Sequence, residues 1–473
     1  MYLSPNVNLY EMFESTVYSN RRAHLKRFAG KGIVLLPGNV DAAFNYPANP
    51  YHFRQDSTFL YYFGLDHPEL AGVLDLDSGE DWIFGNDVDL DDIIWMGTLP
   101  TIRELAELVG VTHTAPYSEL AKVIDRALVQ GRKVHYLPPY RGETSIELER
   151  LLKIPVADQK TRASLTLTKA VVAQRSVKDA GEIAEIEKAL GTAYIMHTTA
   201  MRMARPGVWE QEIAGTIEGI SLANGGPVSF PVILSMNGQT LHNHDHSQIL
   251  EKGRLLVVDA GCETELHYAA DLTRTMPVGG KFNTRQKPVY EAVLAANLKA
   301  IEATRPGVLY RDVHLMACQT LAEGLKAIGL MKGDMAEAVA AGAHALFLPH
   351  GLGHMMGLDV HDMENLGQIH VGYDDEVRPS KQFGLAFLRM GRKLEPGFVI
   401  TDEPGCYFIP ALIDQWKAAK LHAEFINYPE VEKYKNFGGI RIEDDLLVTA
   451  SGCRVLGKPV PKSVTEVEDM MRN

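Results

Sequence analysis

Five side chains in the carboxy-terminal half of the chain have the right types to hold metal together. They are Asp259 in VVDAG, Asp271 in AADLTRT, His354 in PHGLGHMMG, Glu403 in TDEPG and Glu443 in GIRIEDD. Each falls at an expected strand end or turn. Four carboxylates and one imidazole form a donor set for two divalent cations side by side, and two cations sharing a hydroxide give a nucleophile that works at neutral pH. Each residue alone also has a plainer explanation. Aspartate beside glycine is common in turns, and Asp271 is equally well explained as a turn cap or as the partner of Arg274. Glu443 alternates with Arg441 on an expected strand that continues into an apolar run, which a salt-bridged edge strand would also explain.

The segment LLVVDAGCETELHYAADLTRT reads as a hairpin whose second strand carries Asp271, Thr273 and Thr275 on one face. An aspartate buried there is costly unless it is paired or coordinated. His350, His354 and His361 fall within PHGLGHMMGLDVH. A lone histidine in such a place is usually a satisfied core residue. Three of them among glycines, with little charge nearby, favour neutral imidazoles able to ligate. The glycine spacing of GLGHMMG is wrong for a dinucleotide-binding turn, so that reading is discarded.

The elements that must position these residues follow from apolar periodicity. In the first ~165 residues, GIVLLPG, AGVLDL, DWIFG and KVHYLP read as strands, and IRELAELVG and ELAKVIDRAL as helices, which predicts an α/β layer domain. A polar stretch around 160–175 marks the expected boundary. Beyond it Arg205-Pro206-Gly207-Val208 recurs as Arg305-Pro306-Gly307-Val308, each copy between two helical patterns. Pro-Gly ends a helix because proline cannot donate and glycine accepts left-handed dihedrals. The repeat predicts two related half-domains whose shared seam receives the acidic and histidine residues.

Composition limits the partners. The chain has 473 residues, 46% apolar and 23% charged, with net charge −13; that is ordinary globular composition with an acidic balance. No basic stripe argues for nucleic acid, and no apolar run is long enough to predict a membrane-spanning helix. The amino terminus shows no leader pattern. Four scattered cysteines, Cys262, Cys318, Cys406 and Cys453, read as reduced thiols, which predicts a cytoplasmic location.

The ordered set DAG…D-T-RT, PHGLGH…G-DVHD, EPG-Y and G-RIEDD resembles the pita-bread metallopeptidases, which include methionine aminopeptidase, aminopeptidase P and prolidase. The likeness runs from about Val172 to the carboxy terminus. The segment YHFRQDSTFLYYFGLDHPE (Tyr51–Glu69) is similar to the amino-terminal part of aminopeptidase P, which favours the proline-directed branch. The resemblance implies an α/β (α+β) architecture: an amino-terminal α/β domain over 1–168 and a pseudo-symmetric pita-bread catalytic domain over 169–473.

It also implies roles. Asp259, Asp271, His354, Glu403 and Glu443 would bind two divalent metal ions. Carboxylate-rich sites suit hard or borderline cations, so Mn²⁺ is the first choice, ahead of Co²⁺, Fe²⁺ or Zn²⁺. Four carboxylates and a bridging hydroxide would leave about one negative charge against two divalent cations, which suits a substrate's free amine. Glu403 would also orient the water and carry its proton to the leaving nitrogen. His361 would stabilise the tetrahedral oxygen. His242 would line the substrate pocket, with His244 and His246 as neighbouring alternatives, and His350 would be a second pocket histidine. Arg441 shares the face of Glu443 and would steady it, and Arg441 and Tyr407 would join the substrate-contacting groups. Arg389, in GLAFLRMGRKLEPG, matches an arginine that grips the carboxylate of a dipeptide, unless it is simply a solvated loop residue.

The expected activity is Xaa-Pro aminopeptidase acting on proline-containing peptides, with prolidase as the alternative. A metal-free binding protein or a guanidino-compound hydrolase on the same fold is disfavoured by the full ligand set. The family pattern is matched with two differences. Asp259 and Asp271 are one residue further apart than usual, and the segments 367–388 and 411–437 are longer than a minimal aminopeptidase needs. Trp95 matches an aromatic of the family's amino-terminal domain, a domain that in oligomers can reach a neighbour's active site, against the plainer reading of a core tryptophan. A homodimer or homotetramer is expected.

Overall fold

The computed structural model describes residues 12–472; the first eleven positions of the segment read above for a leader lie outside the described residues. The chain divides into two compact units, one comprising 1–175 with 364–370 and the other 176–363 with 371–473. The polar stretch around 160–175 is helical, in helices Val156–Arg162 and Leu165–Ser176.

The first unit is built on a mixed five-stranded sheet. Its strands are β1 (Ile33–Pro37), β4 (Ala71–Asp75), β5 (Asp81–Phe84), β6 (His113–Ala115) and β7 (Val134–His135), ordered β6-β5-β4-β1-β7, while β2 (Ala43–Tyr46) and β3 (Asn49–Pro50) form a separate small hairpin. Ile33, Leu35, Ala71 and Val73 send one face of the pleat into a core. Leu120, Ile124 and Ala127 meet it from the helix Leu120–Val129, with the i, i+4, i+7 spacing of a single helical face. The segment singled out above contains the helix Ser57–Phe63, capped at its start by Asp56 and stopped by Gly64 in a left-handed conformation. Trp95 is not a core tryptophan: it lies on the helix Leu90–Met96 and is 86% exposed.

The second unit carries the repeat in three dimensions. Helices Ala180–Met203 and Glu210–Ala223 flank the first RPGV, and helices Gln286–Ala303 and Tyr310–Ala327 flank the second. Gly207 and Gly307 both take positive φ, 92° and 83°. Their backbone partners also correspond. Gly207 N–H donates to Leu250 O and Leu250 N–H to Val208 O; Gly307 N–H donates to Leu394 O and Leu394 N–H to Val308 O. Each half contributes one antiparallel three-stranded sheet. In the first, β9 (Leu255–Asp259) lies between β8 (Ile233–Ser235) and β10 (Thr273–Pro277); in the second, β14 (Asp444–Val448) lies between β11 (Val399–Asp402) and β15 (Cys453–Val455). A two-stranded ribbon joins β12 (Gly405–Tyr407) and β13 (Gly439–Arg441). The expected single strand through Arg441 and Glu443 is therefore two. It breaks at Ile442–Glu443, because β13 pairs with β12 whereas β14 pairs with β11.

The loop between His354 and His361 is fixed by a buried ion pair. Lys178 Nζ sits 3.0 Å from Asp362 Oδ2, with both side chains only 1% exposed, and Asp362 N–H donates to Met355 O across the loop. Breaking a buried pair leaves an uncompensated charge. Lys178→Met should therefore cost about 3–5 kcal/mol in urea unfolding, while an apolar replacement of both partners should recover most of it. A loss below about 1 kcal/mol for the single variant would show that the pair does not hold the loop.

Candidate metal centre

The five expected ligands sit where strands of the second unit end. Asp259 closes β9 and stands opposite Thr273. Asp271 lies just before β10, and Glu443 bridges to Thr273 from the break between β13 and β14. Glu403 follows β11 directly. His354 lies on the glycine-rich loop running beside β11, its N–H donating to Thr401 Oγ1 and its O accepting from Thr401 N–H. Gly353 allows that approach, since a Cβ there would collide with Thr401 O. The hairpin holding the two aspartates keeps one register beyond the strands, through Ala260 N–H to Leu272 O and Ala270 N–H to Cys262 O. Its irregularity is confined to the tip, where His267 takes a positive φ of 64°, so the longer spacing leaves the strand faces in place.

Asp271, His354 and Glu443 offer donor atoms that all lie within 4.8 Å of one another. His354 Nε2 is 3.5 Å from Asp271 Oδ2 and 3.9 Å from Glu403 Oε1. Its Nδ1 donates to Met355 O at 3.1 Å, an assignment made from the acceptor, which leaves the Nε2 lone pair facing the carboxylates. Asp259 joins through Arg441, whose guanidinium pairs with Asp259 Oδ2, donates to Thr273 Oγ1 at 3.1 Å and to the Tyr407 hydroxyl at 2.9 Å. Thr273 in turn donates to Glu443 Oε2 at 2.6 Å. Arg441 thus steadies Asp259 directly and Glu443 through Thr273. Arg274, the suggested partner of Asp271, instead pairs with Asp444 at 2.7 Å and donates to Glu443 O at 2.6 Å, fixing that ligand's backbone.

The electrostatics fit a cation site. Burial, then Glu443 and Asp259, pushes Asp271 well above the usual carboxylate range. Burial, then Glu403 and Asp259, does the same to Glu443. Burial also raises Glu403, to about 7, with Arg441 opposing and Asp259 adding to the shift. Asp259 Oδ1 and Asp271 Oδ1 are buried without a hydrogen-bond partner. Buried carboxylate oxygens left unpaired, crowded beside like charges, need a cation to be ionised at neutral pH. The chain thus presents a site for divalent metals.

A cavity of about 510 Å³ opens onto these groups, within the range of small-ligand pockets. His242, His350, His361, Arg389 and Arg441 line it together with Phe387. His361 stacks edge-on against His354, ring centres 4.2 Å apart. Burial, then Arg441, lowers both His242 and His350, the latter to about 3. Of the neighbouring histidines, His244 also lines the cavity, whereas His246 faces Leu234 O. Tyr407 differs from its expected place among substrate-contacting groups. It is fully buried, behind Arg441 and His350, and its hydroxyl links the two, 2.9 Å from each. Sequence reasoning missed the relay through Thr273; its only signal was the alternation with Asp271. It also missed Tyr310, whose hydroxyl supports Thr401 O behind His354; no local pattern marks that residue.

Comparison with known proteins agrees with this geometry. The pattern of metallopeptidase family M24 matches residues 184–450, and that of the aminopeptidase P amino-terminal domain matches residues 18–136. A probable Xaa-Pro aminopeptidase of Fusarium vanettenii is 32% identical over 93% of this chain and 92% of its own length. The Xaa-Pro dipeptidase of Homo sapiens is 31% identical over 89% of this chain and 84% of its own. The structure of Pseudomonas aeruginosa aminopeptidase PepP superposes with a TM-score of 0.81 at 28% identity, covering 98% of each chain.

Proton linkage gives a test of the centre. Without metal, the raised folded-state value of Glu403 means that its stabilisation is complete below 4.5 and is lost as pH rises through about 7. Asp271 and Glu443 shift in the same direction. Cations bind only the ionised forms and so oppose that loss. The melting-temperature gap between metal-loaded and chelator-stripped protein should therefore widen from about pH 5 to about pH 8. Histidines remote from the site cancel in the difference. A gap that stays flat or narrows contradicts a carboxylate metal centre.

Proposed function

The chain belongs to metallopeptidase family M24, and from that premise we propose that it is an Xaa-Pro aminopeptidase, removing the residue that precedes a penultimate proline. The observation that carries the reading is the convergence of Asp271, His354 and Glu443 around unpaired carboxylate oxygens, at one end of a cavity of peptide size. The aminopeptidase P amino-terminal pattern and the relatives' names supply the proline preference.

Two divalent cations, Mn²⁺ before Co²⁺, Fe²⁺ or Zn²⁺, would be held by Asp259, Asp271, His354, Glu403 and Glu443, and when bound they supply Lewis acidity and an ionised water at neutral pH. Every other task falls to the chain. Glu403 is the most open of the ligand carboxylates, at 19% exposure of its side chain. It is placed to take the proton of the attacking water and pass it to the proline nitrogen. His361, against His354, faces the cavity and donates to the carbonyl oxygen as charge develops there. His350 is held by Tyr407 and by Gly351 O, so it presents a fixed neutral ring beside the substrate. His242 and Phe387 wall the cavity, and Arg389 meets carbonyl or carboxylate oxygens beyond the proline ring. Catalysis belongs to the domain proposed over 169–473. Trp95, exposed beside Leu90 and Ile94, is proposed as a contact in a homodimer or homotetramer, and a cytoplasmic location is proposed from the four unpaired cysteines.

A product time course on Gly-Pro beside Gly-Pro-Xaa peptides tests the reading. The tripeptide should be cleaved at a rate comparable to the dipeptide, and chelator should abolish both activities. Dipeptide cleavage alone would make the protein a prolidase instead. Glu403→Gln should lower kcat by about 100-fold or more, and His361→Ala by about 100-fold, with KM less affected. Full activity in the glutamine variant would refute the assigned role of Glu403.

A further inference from the structure

A second cluster of metal-ligating side chains lies in the same unit, apart from the carboxylates. His314 and Cys318 are one turn apart on the helix Tyr310–Ala327, a spacing that puts both on one face. His344 comes to them from the single 3-10 turn Ala343–Leu346. All three are buried, at 0%, 0% and 1% exposure, and one donor atom from each lies within 4.8 Å of the other two. Neither ring nitrogen of His344 has a hydrogen-bond partner, although Val339 O lies near enough to favour its protonated form slightly. A buried imidazole with two unused nitrogens is costly unless something binds it.

We propose that His314, Cys318 and His344 form a second metal site, chemically distinct from the first, that takes a soft monovalent cation, Cu(I). The donor set chooses the class, since thiolate with imidazole selects soft or borderline metals over the hard cations suited to carboxylates. Charge chooses the oxidation state. The titratable groups that act on the two imidazoles are histidines, His344 and His350 on His314 and His422 on His344. One thiolate therefore neutralises a monovalent ion completely, whereas a divalent ion would keep a buried positive charge. Binding balances as Cys318–SH plus Cu(I) giving Cys318–S–Cu plus one proton released to solvent. Cys318 Sγ and His314 Nε2 are already 3.5 Å apart, close to the ~3.6 Å edge expected for sulfur and nitrogen on one tetrahedral metal. His344 closes by a small movement of its turn. The ion would tie that helix to a turn whose chain leads into the His350–His354 loop.

The test uses the full-length protein with its carboxylate site loaded with Mn²⁺, titrated anaerobically with Cu(I) against a chromophoric competitor. Wild type should take up one Cu(I) equivalent, melt at a higher temperature with it bound, and show a sulfur shell in copper X-ray absorption. Cys318→Ala and His344→Gln should weaken uptake by about 10- to 100-fold. Cys453→Ser, which removes the only partly exposed thiol, should leave uptake unchanged. Equal uptake in wild type and Cys318→Ala, or loss of uptake in Cys453→Ser alone, overturns the proposal. Should either ligand variant fail to fold, the wild-type spectrum still decides, because copper with only nitrogen and oxygen neighbours is incompatible with a Cys318 site.

Discussion

Four carboxyl groups gathered in a buried pocket repel one another, and the guanidinium of Arg441 makes their arrangement tolerable. It is a positive group held directly against Asp259. Its three directions of hydrogen bonding reach Asp259, Thr273 and the Tyr407 hydroxyl. Through Thr273 it sets the rotamer of Glu443, and through Tyr407 it sets the ring of His350. A planar fork of donors does this where an ammonium could not, because the partners lie in fixed directions around one plane. Burial, together with the negative charge that Arg441, and Arg389 acting on Glu403, leave unmet, raises the folded-state values of Asp271, Glu403 and Glu443. The scaffold therefore orders the donors while leaving their charge unmet.

The duplicated half-domain explains how donors so far apart in sequence come to one place. The same turn, with the same backbone exchanges, anchors a strand pair in each half. The first half ends β9 at Asp259 and opens β10 after Asp271. The second ends β11 before Glu403 and opens β14 after Glu443. The bridge between Thr273 and Glu443 stitches the halves together at the level of the ligands. The symmetry is incomplete: the glycine turn of the second copy reaches its partner Leu394 across a longer stretch than the first copy needs to reach Leu250. The stretch from Gly307 to Leu394 contains both the His314–Cys318–His344 cluster and the cavity residues Phe387 and Arg389.

What the sequence makes legible is local. Strand ends, the Pro-Gly turns and the alternation Asp271, Thr273, Thr275 depend on neighbours within a few positions, and the α/β architecture follows from them. Properties set by distant partners are not legible in this way. The pairing of Arg441 with Asp259 spans 182 positions, so alternation pointed to Glu443 as its direct partner when the contact runs through Thr273. The strand through Glu443 reads as continuous because its residues are uniformly apolar or alternating. It breaks because two different strands compete to pair with it, β12 on one side and β11 on the other. The core reading of Trp95 fails for a similar reason: a large apolar side chain is buried or left exposed by its surroundings, and only the fold decides which.

The unequal exposure of the proposed ligand carboxylates bears on how such a centre would turn over. Asp259 is held by Arg441, Glu443 is held by Thr273 at its side chain and by Arg274 at its backbone, and Asp271 is closed in just before β10 with its side chain 7% exposed. Glu403 has no comparable clamp. It hangs from the end of β11 beside a Pro-Gly turn, its oxygens 3.8 Å from His350 Nδ1 and 3.9 Å from His354 Nε2. A group that must accept a proton at one moment and give it up at the next needs access to solvent or substrate and a modest energy gap between its two states. A carboxyl group raised to about 7 and open to the cavity meets both conditions. The other three line the same cavity but are less open to it, and Asp259 and Glu443 would have to rebuild their hydrogen bonds at each protonation. The same geometry that makes Glu403 the least constrained member of the set therefore makes it the one suited to proton transfer.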